Sequence, residues 1–314
     1  MKNREKMKKK YLILTIICIL LIFTSIPKLI ENGKGKNIEI TTSALLNKKY
    51  IPQINSIYVG DSVDVLHFYK SNDIWLCNYG DINFYANEKI VLEMIENFSK
   101  NRTLTTIDSN IKNHNLYGIS EESSFNISFY NEDLAGNKNE FSKIYFGYEN
   151  SDRTTIYLKG NRNPTVYSAQ NDLYSYFSTQ LEHYGNNSFF PLANSSTEKS
   201  ISKIEIFDYS QETNLENSKK IKYRGDSDFE DFVYKTFSSL GGKFYTEDIL
   251  ASDNMIHIKK INLYDDKNQL YTLDIYSYFN NIEEQYFIKT SFPEKTSDVN
   301  YVLEISQWTK SRFD

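Results

Sequence analysis

The side chains in this sequence that could do acid, base, metal or nucleophilic chemistry are few and widely spaced. There are four histidines, His67, His114, His183 and His257. No two stand at i, i+4 spacing and none lies in an H-E-x-x-H pattern, so a zinc site would have to be assembled from scattered strands. Each is expected to be an ordinary surface or strand residue. Cys77 falls in an apolar strand pattern with Ile74, Leu76 and Tyr79, which predicts a core or half-buried thiol. The sequence contains no G-x-S-x-G elbow, no lactamase-type S-x-x-K set, no Walker A motif and no G-x-G-x-x-G loop. We therefore expect no catalytic residue, no metal ligand and no cofactor, and any transport role would draw its energy from a partner.

The acidic clusters read the same way. Asp226, Asp228, Glu230 and Asp231 imitate a calcium loop, yet no Gly occupies the sixth position and no Glu the twelfth. They suit a helix N-terminus better, with Ser227 or Asp228 as cap and the acids facing the positive end of the dipole. Asn131, Glu132, Asp133, Gly136 and Asn137 are oxygen-rich but join two strands, as a solvated loop would. A glycan- or peptide-acting hydrolase would need acids such as Asp133, Glu140 or Asp172 to converge at paired-carboxylate distance. The Asn-x-Ser/Thr triplets at Asn97, Asn101, Asn126, Asn186 and Asn194 are what chance supplies in so Asn-rich a chain.

The overused chemical group is tyrosine, with 25 Tyr and 20 Phe in 314 residues against 12 Gly and 2 Cys. That balance favours strands. Segments such as Ile144–Tyr148 and Tyr271–Tyr278 put aromatic residues on both faces, so one face can enter a core while Tyr on the other meets protein or carbohydrate. Two cysteines are too few for a disulfide scaffold or a Cys-built zinc site. A net charge of -5 excludes a nucleic-acid-binding surface.

That average conceals a partition. Residues 1–10 carry six basic side chains against Glu5, and residues 1–38 sum to +7, leaving -12 for the rest of a chain that totals -5. Between the charges lies YLILTIICILLIFTSIP, Tyr11 to Pro27, continuing through Leu29 and Ile30. Twenty residues at about 1.5 Å each span roughly 30 Å, the thickness of a bilayer's hydrocarbon core. No small-x-small cleavage site follows, and Ile16 and Ile17 exclude a lipoprotein box at Cys18. The reading is an uncleaved, single-pass anchor in the cell membrane, with a basic cytoplasmic tail (1–10), a membrane helix (11–30) and an extracytoplasmic remainder.

Residues 31–50 read as a linker, and strand patterns follow at 54–59, 63–69 and 74–79. A helix begins near Asn87 with Ile90, Val91, Met94, Ile95 and Phe98 on one face. Further strands fall at 102–107, 125–130, 143–148, 154–159 and 165–169, and a helix is predicted from about Gln170 to His183. The second half repeats this order. Residues 201–209 match 54–59, 219–224 the next strand, and a helix from Ser227 carries Phe229, Phe232, Val233 and Phe237. Ile127–Asn131 parallels Ile261–Asp265 and Ile156–Lys159 parallels Tyr286–Lys289, the offset drifting from 147 to 134 to 130. The expected fold is α+β: an N-terminal transmembrane helix, then two related modules (51–193 and 194–314) of mainly antiparallel sheet with one or two packed helices each.

Over residues 54–183 the chain resembles the bacterial domain of unknown function 4340 family. The features that carry the resemblance are Trp75-Leu76, Leu116-Tyr117-Gly118-Ile119, Phe146-Gly147, Ile156-Tyr157-Leu158 and Pro164-Thr165-Val166-Tyr167. The second copy offers Ile249-Leu250-Ala251 where the Tyr-Gly-Leu step belongs. The resemblance implies membrane-tethered modules outside the cytoplasm that accompany ABC-type export systems of the gliding-motility kind, and it brings no catalytic residues. The expected function is a non-catalytic accessory or interaction subunit of a membrane complex, with the bilayer and an ABC-type permease and ATPase as partners. A ligand-sensing module with an aromatic pocket between the halves, its ligand unspecified, is the alternative, and a cell-surface hydrolase the third.

Overall fold

A computed structural model describes residues 39–210, 219–279 and 283–314. The expected anchor at 11–30 lies outside them; among the described residues no helix is long and apolar enough to cross a membrane. The first sheet contains β1 (Ile40–Ser43), β2 (Ser56–Gly60), β3 (Val65–Ser71), β4 (Ile74–Tyr79), β5 (Ile82–Tyr85), β6 (Arg102–Asp108), β7 (Asn126–Glu132), β8 (Lys138–Glu149), β9 (Thr155–Gly160) and β10 (Val166–Gln170). Their order is β1-β6-β10-β9-β8-β7-β2-β3-β4-β5. The second contains β11 (Ile201–Asp208), β12 (Lys219–Tyr223), β13 (Phe244–Thr246), β14 (Met255–Asp265), β15 (Leu270–Phe279), β16 (Glu284–Ser291) and β17 (Tyr301–Ile305), in the order β12-β11-β14-β15-β16-β17-β13. The pairings are antiparallel, so the fold is α+β with two mostly antiparallel sheets and a few helices.

Alternation sets the faces. Ile57 and Val59 lie opposite Phe129 and Ile127 and are buried, which leaves Ser56 and Tyr58 on the other side. Helix α1 (Glu88–Ser99) covers the inward face with Val91, Met94, Ile95 and Phe98, the stripe its spacing predicts. The Phe98 ring meets Phe129 at 5.1 Å and Phe146 at 6.2 Å. After α2 (Leu181–Tyr184) and α3 (Ser195–Ser200), helix α4 (Phe229–Ser238) buries Phe229, Phe232, Val233 and Thr236 of the second half. A last short helix, α5, covers Gln307–Ser311.

The order β3-β2-β7-β8-β9-β10-β6 of the first sheet recurs as β12-β11-β14-β15-β16-β17-β13 in the second. Registers recur too: the pairs Ile57–Phe129 and Val59–Ile127 correspond to Ile204–Leu263 and Ile206–Ile261. The first sheet adds β1 outside β6 and the hairpin β4–β5 outside β3.

Several local expectations give way. The helix predicted over 170–183 is instead a 3-10 turn at Tyr174–Tyr176, an extended stretch and the single turn of α2. Tertiary packing overrides the spacing, because the Phe177 ring is held between Phe125 at 5.6 Å and Phe146 at 4.4 Å with φ -88° and ψ 59°. Part of the stretch read as a linker is ordered: β1 pairs with β6, a 3-10 turn spans Lys48–Gln53, and Leu46 is fully buried. Asn87 and Asp228 stand at the N-cap positions of α1 and α4, but neither side chain bonds the helix backbone. Asp228 pairs with Lys222 instead, and Asp226 accepts from the Tyr223 amide at 2.8 Å.

The two sheets meet where β5 faces the second half. Asn300 accepts from the Asn83 amide at 2.7 Å through Oδ1, donates to the Asp81 carbonyl at 2.9 Å through Nδ2, and donates its own amide to the Asn83 carbonyl at 3.1 Å. Ring contacts continue inward, Phe84–Phe244 at 4.8 Å, Phe244–Tyr301 at 5.2 Å and Tyr85–Phe292 at 5.9 Å. One connected cluster of buried residues runs from Leu46 in the first half to Phe313 in the second.

A second, smaller core lies on the outward face of the first sheet, where Ile119, Tyr145 and Val166 are buried with Ile107, Tyr117 and Tyr157 against them. The 3-10 segment Ile111–Tyr117 crosses this face and rests on Gly147, where an added Cβ would stand 2.1 Å from the Tyr117 carbonyl oxygen. Gly118, at φ +71°, turns the chain beside the Tyr148 ring. Gly147→Ala is expected to lower stability by about 1–3 kcal/mol in urea unfolding, as overpacking does. Gly160→Ala, whose new Cβ would meet nothing nearer than Asn163 at 3.9 Å, is the control. Equal midpoints for the two variants would refute the fit.

Candidate functional site

A polar cluster sits on the outward face of β2, β3 and β7. Strand pairing places Ser56 opposite Tyr69 and Tyr130, and Tyr58 opposite His67. Glu132, at the end of β7, turns back across them, and Lys138 arrives from the start of β8. The Ser56 hydroxyl donates to Glu132 Oε2 at 3.0 Å and lies 3.0 Å from His67 Nε2, so the imidazole donates to Ser56 when Nε2 carries its proton. The Tyr58 hydroxyl donates to the same Oε2 at 3.3 Å and accepts from Lys138 Nζ. His67 stacks on Tyr58 at 4.2 Å with the rings within 4° of parallel, and Lys138 stands 4.3 Å over the Tyr58 ring.

A serine, a histidine and a glutamate in contact invite comparison with a nucleophilic triad, and the geometry argues otherwise. In a triad the acid orients the histidine nitrogen remote from the nucleophile. Here serine and carboxylate both gather at Nε2, with Glu132 Oε2 3.8 Å from it, and Ser56 is 1% exposed. The hydroxyl is spent as a bridge. What the arrangement does is lock Tyr58, His67 and Lys138, each partly exposed, into one rigid aromatic and cationic group, a form suited to contact with a protein or carbohydrate surface.

Burial holds the His67 pKa below the ordinary imidazole value; the nearby Glu132 carboxylate opposes that shift and Lys138 adds to it. The Lys138 ammonium is raised, chiefly by its hydrogen bond to Tyr58.

The other residues singled out from the sequence are dispersed. His114 is buried, with Nε2 2.7 Å from the Pro164 carbonyl. His183 lies in α2 against Tyr184, and His257 pairs with Asp274 at 3.0 Å while stacking on Tyr276. Cys77 is fully buried and its thiol pKa is pushed well up by burial. Among the described residues no group of three or more His, Cys, Asp or Glu is disposed to hold a metal ion. Asp133, Glu140 and Asp172 are occupied separately. Asp133 accepts the Ala135 and Asn137 amides in its own turn, Glu140 accepts from Asn161, and Asp172 pairs with Arg102 at 2.6 Å. Asn131, Asp133, Gly136 and Asn137 do lie in or beside the β7–β8 turn; Glu132, grouped with them, is the residue that joins the polar cluster. In a crevice of about 220 Å³ beside α4, Lys222 pairs with Asp228, Lys235 with Asp231 and Lys259 with Asp314, while Lys220 and Arg312 line it without a carboxylate partner among the described residues.

The small outer core takes in Tyr117, Ile119, Tyr157 and Val166 of the features that resemble a family, while Trp75, Leu76 and Phe146 lie in the main core. Tyr117 stacks edge-on against Tyr157 at 5.1 Å and donates to Asp108 at 3.1 Å, Val166 closes the core, and the two glycines let the crossing segment touch the sheet. These elements define a two-sheet antiparallel α+β protein with a segment strapped across one outward face. The chain belongs to the family described as domain of unknown function (DUF4340), which matches residues 78–246. That match begins beyond Trp75 and runs past residue 183 into β13, so it takes in parts of both sheets. No curated protein and no solved structure matches the chain.

The lowered His67 pKa has a definite consequence. The unfolded chain takes up the proton first, so this residue's contribution to stability is complete above about pH 6.5 and declines as pH falls through the unfolded value toward the folded one. An NMR titration is expected to place the His67 midpoint below about 6.5. Glu132→Gln should lower it further and Lys138→Met raise it. A midpoint above that value in the unaltered chain would contradict the burial argument.

Proposed function

We propose that this protein is a membrane-anchored, extracytoplasmic, non-catalytic subunit that serves a membrane complex through its surfaces, an ABC-type export system being the partner class. The observation that carries this reading is the run of Tyr11–Ile30, uncharged to Pro27, behind a tail of net charge +5 and ahead of a body of -12. In this reading energy comes from a partner, in keeping with a sequence that carries no Walker A motif.

The body itself, in this reading, is two copies of one module. Support comes from the recurring strand order, the recurring registers and a recurring ion pair. Lys159 of β9 meets Glu121 at 2.6 Å, and Lys289 at the matching place in β16 meets Glu247 at 2.6 Å. The aromatic rings that a sensing pocket between the halves would need are engaged with one another at the junction, which favours an interaction role over a ligand-sensing one. The Tyr58–His67–Lys138 group is, in this reading, a contact surface of the first module.

Two measurements on the full chain test this. After alkaline carbonate treatment the protein should stay with the membrane pellet, and deletion of residues 11–30 should release it. Affinity purification in mild detergent should recover a permease and an ATPase of the ABC class with it. Release of the unaltered chain by carbonate would end the anchor reading, and recovery of the protein always alone would end the subunit reading.

A further inference from the structure

Exposed apolar side chains scattered singly are ordinary on a protein surface. Three in the first half lie on or against one segment, and a fourth shares their side of the sheet. Ile111 and Leu116, on the strapped 3-10 segment, are 69% and 72% exposed, and Tyr148, whose ring lies against Gly118, is 62% exposed. Ile40 is 65% exposed and opposite Thr105 in β6. Because Leu104 points into the main core and Ile107 into the small outer one, Thr105 and Ile40 face the same side as the strap. Of the acids near this ridge, Asp108 is taken by Asn113 and Tyr117 and Glu121 by Lys159, while Glu39 and Glu122 are exposed. Lys112 is exposed next to Ile111.

The chain enters the described structure at this place. Thr106 donates its amide to the Glu39 carbonyl at 2.9 Å, five residues before the strap begins. Between Ile30, the end of the apolar run, and Ile40 stand nine residues, whose reach fully extended is about 30 Å. The ridge is therefore held within about one bilayer thickness of the membrane surface. At that distance a tethered patch works at high effective concentration, so even an affinity too weak to matter in free solution fixes orientation.

We propose that the ridge of Ile40, Ile111, Leu116 and Tyr148 rests in the headgroup region of the bilayer and turns the strapped part of the first sheet, over β6 and β8 to β10, toward the membrane. This inference rests on the anchor reading given above. Aliphatic tips with a tyrosine and a lysine at their margin are the side-chain set that settles at such an interface.

The test uses the full chain in nanodiscs carrying spin-labelled lipid, with bimane attached at Leu116→Cys or, on the far side of the sheet, at Leu92→Cys on the exposed face of α1. Cys18→Ser provides the background, and Cys77 is fully buried. Ile111→Cys replaces Leu116→Cys if the latter fails to fold. Quenching at the ridge should exceed that at Leu92→Cys about twofold or more. Equal quenching at both sites in protein that carbonate leaves in the membrane overturns this inference and spares the anchor. A ridge label shielded from lipid quencher and aqueous iodide alike means that protein rather than lipid covers it, which also overturns the proposal. Protein released by carbonate refutes the anchor and this inference together.

Discussion

The space between the two sheets is closed by aromatic rings meeting ring to ring, and the other elements are placed by that contact. Phe84 and Tyr85 at the end of β5 meet Phe244, Phe292 and Tyr301 of the second half, so neither sheet can finish its core without the other. The apolar transfer term is large here, about 1.5–3 kcal/mol for each side chain fully buried, and specificity comes from the polar contacts beside it. Asn300 reads both edges of Asn83 and the Asp81 carbonyl, a pattern a slipped register could not satisfy.

With the inward faces committed to the helices and the shared core, the outward face of the first sheet is among the surfaces left for contact with anything else. Two devices organise it. At one place the Ser56–His67–Glu132 bridge and the Lys138–Tyr58 contact hold aromatic and cationic groups rigid. At the other, the strap over Gly147 builds a small core and leaves Ile111 and Leu116 on its outer side. Both depend on alternation along strands whose opposite faces are fixed by the shared core.

Much of the fold was legible because period-two patterns in β2, β7 and β9, the apolar run of β4 and the α1 stripe are local signals. The strand registers recur at offsets of 147 and 134, and the proposal of two copies rests on that recurrence. Local signals failed where distant partners decide. Leu173, Phe177 and Leu181 have helical spacing, yet Phe177 is claimed by Phe125 and Phe146. β5 escaped because four residues after a tight turn at Gly80, φ +56°, carry little pattern of their own. The polar cluster was invisible in the sequence for the same reason, since Glu132 meets Ser56 across 76 positions and looks like loop composition until β2 and β7 pair. Its available signal was a strand pair placing Ser, Tyr and His on one face.

Native-state hydrogen exchange on the full chain tests the shared core most directly. If the two sheets form one cooperative body, the slowest amides of β7 and of β14 exchange with the same opening free energy, that of global unfolding. A difference of more than about 2 kcal/mol between them, with one sheet opening while the other stays protected, would contradict the account.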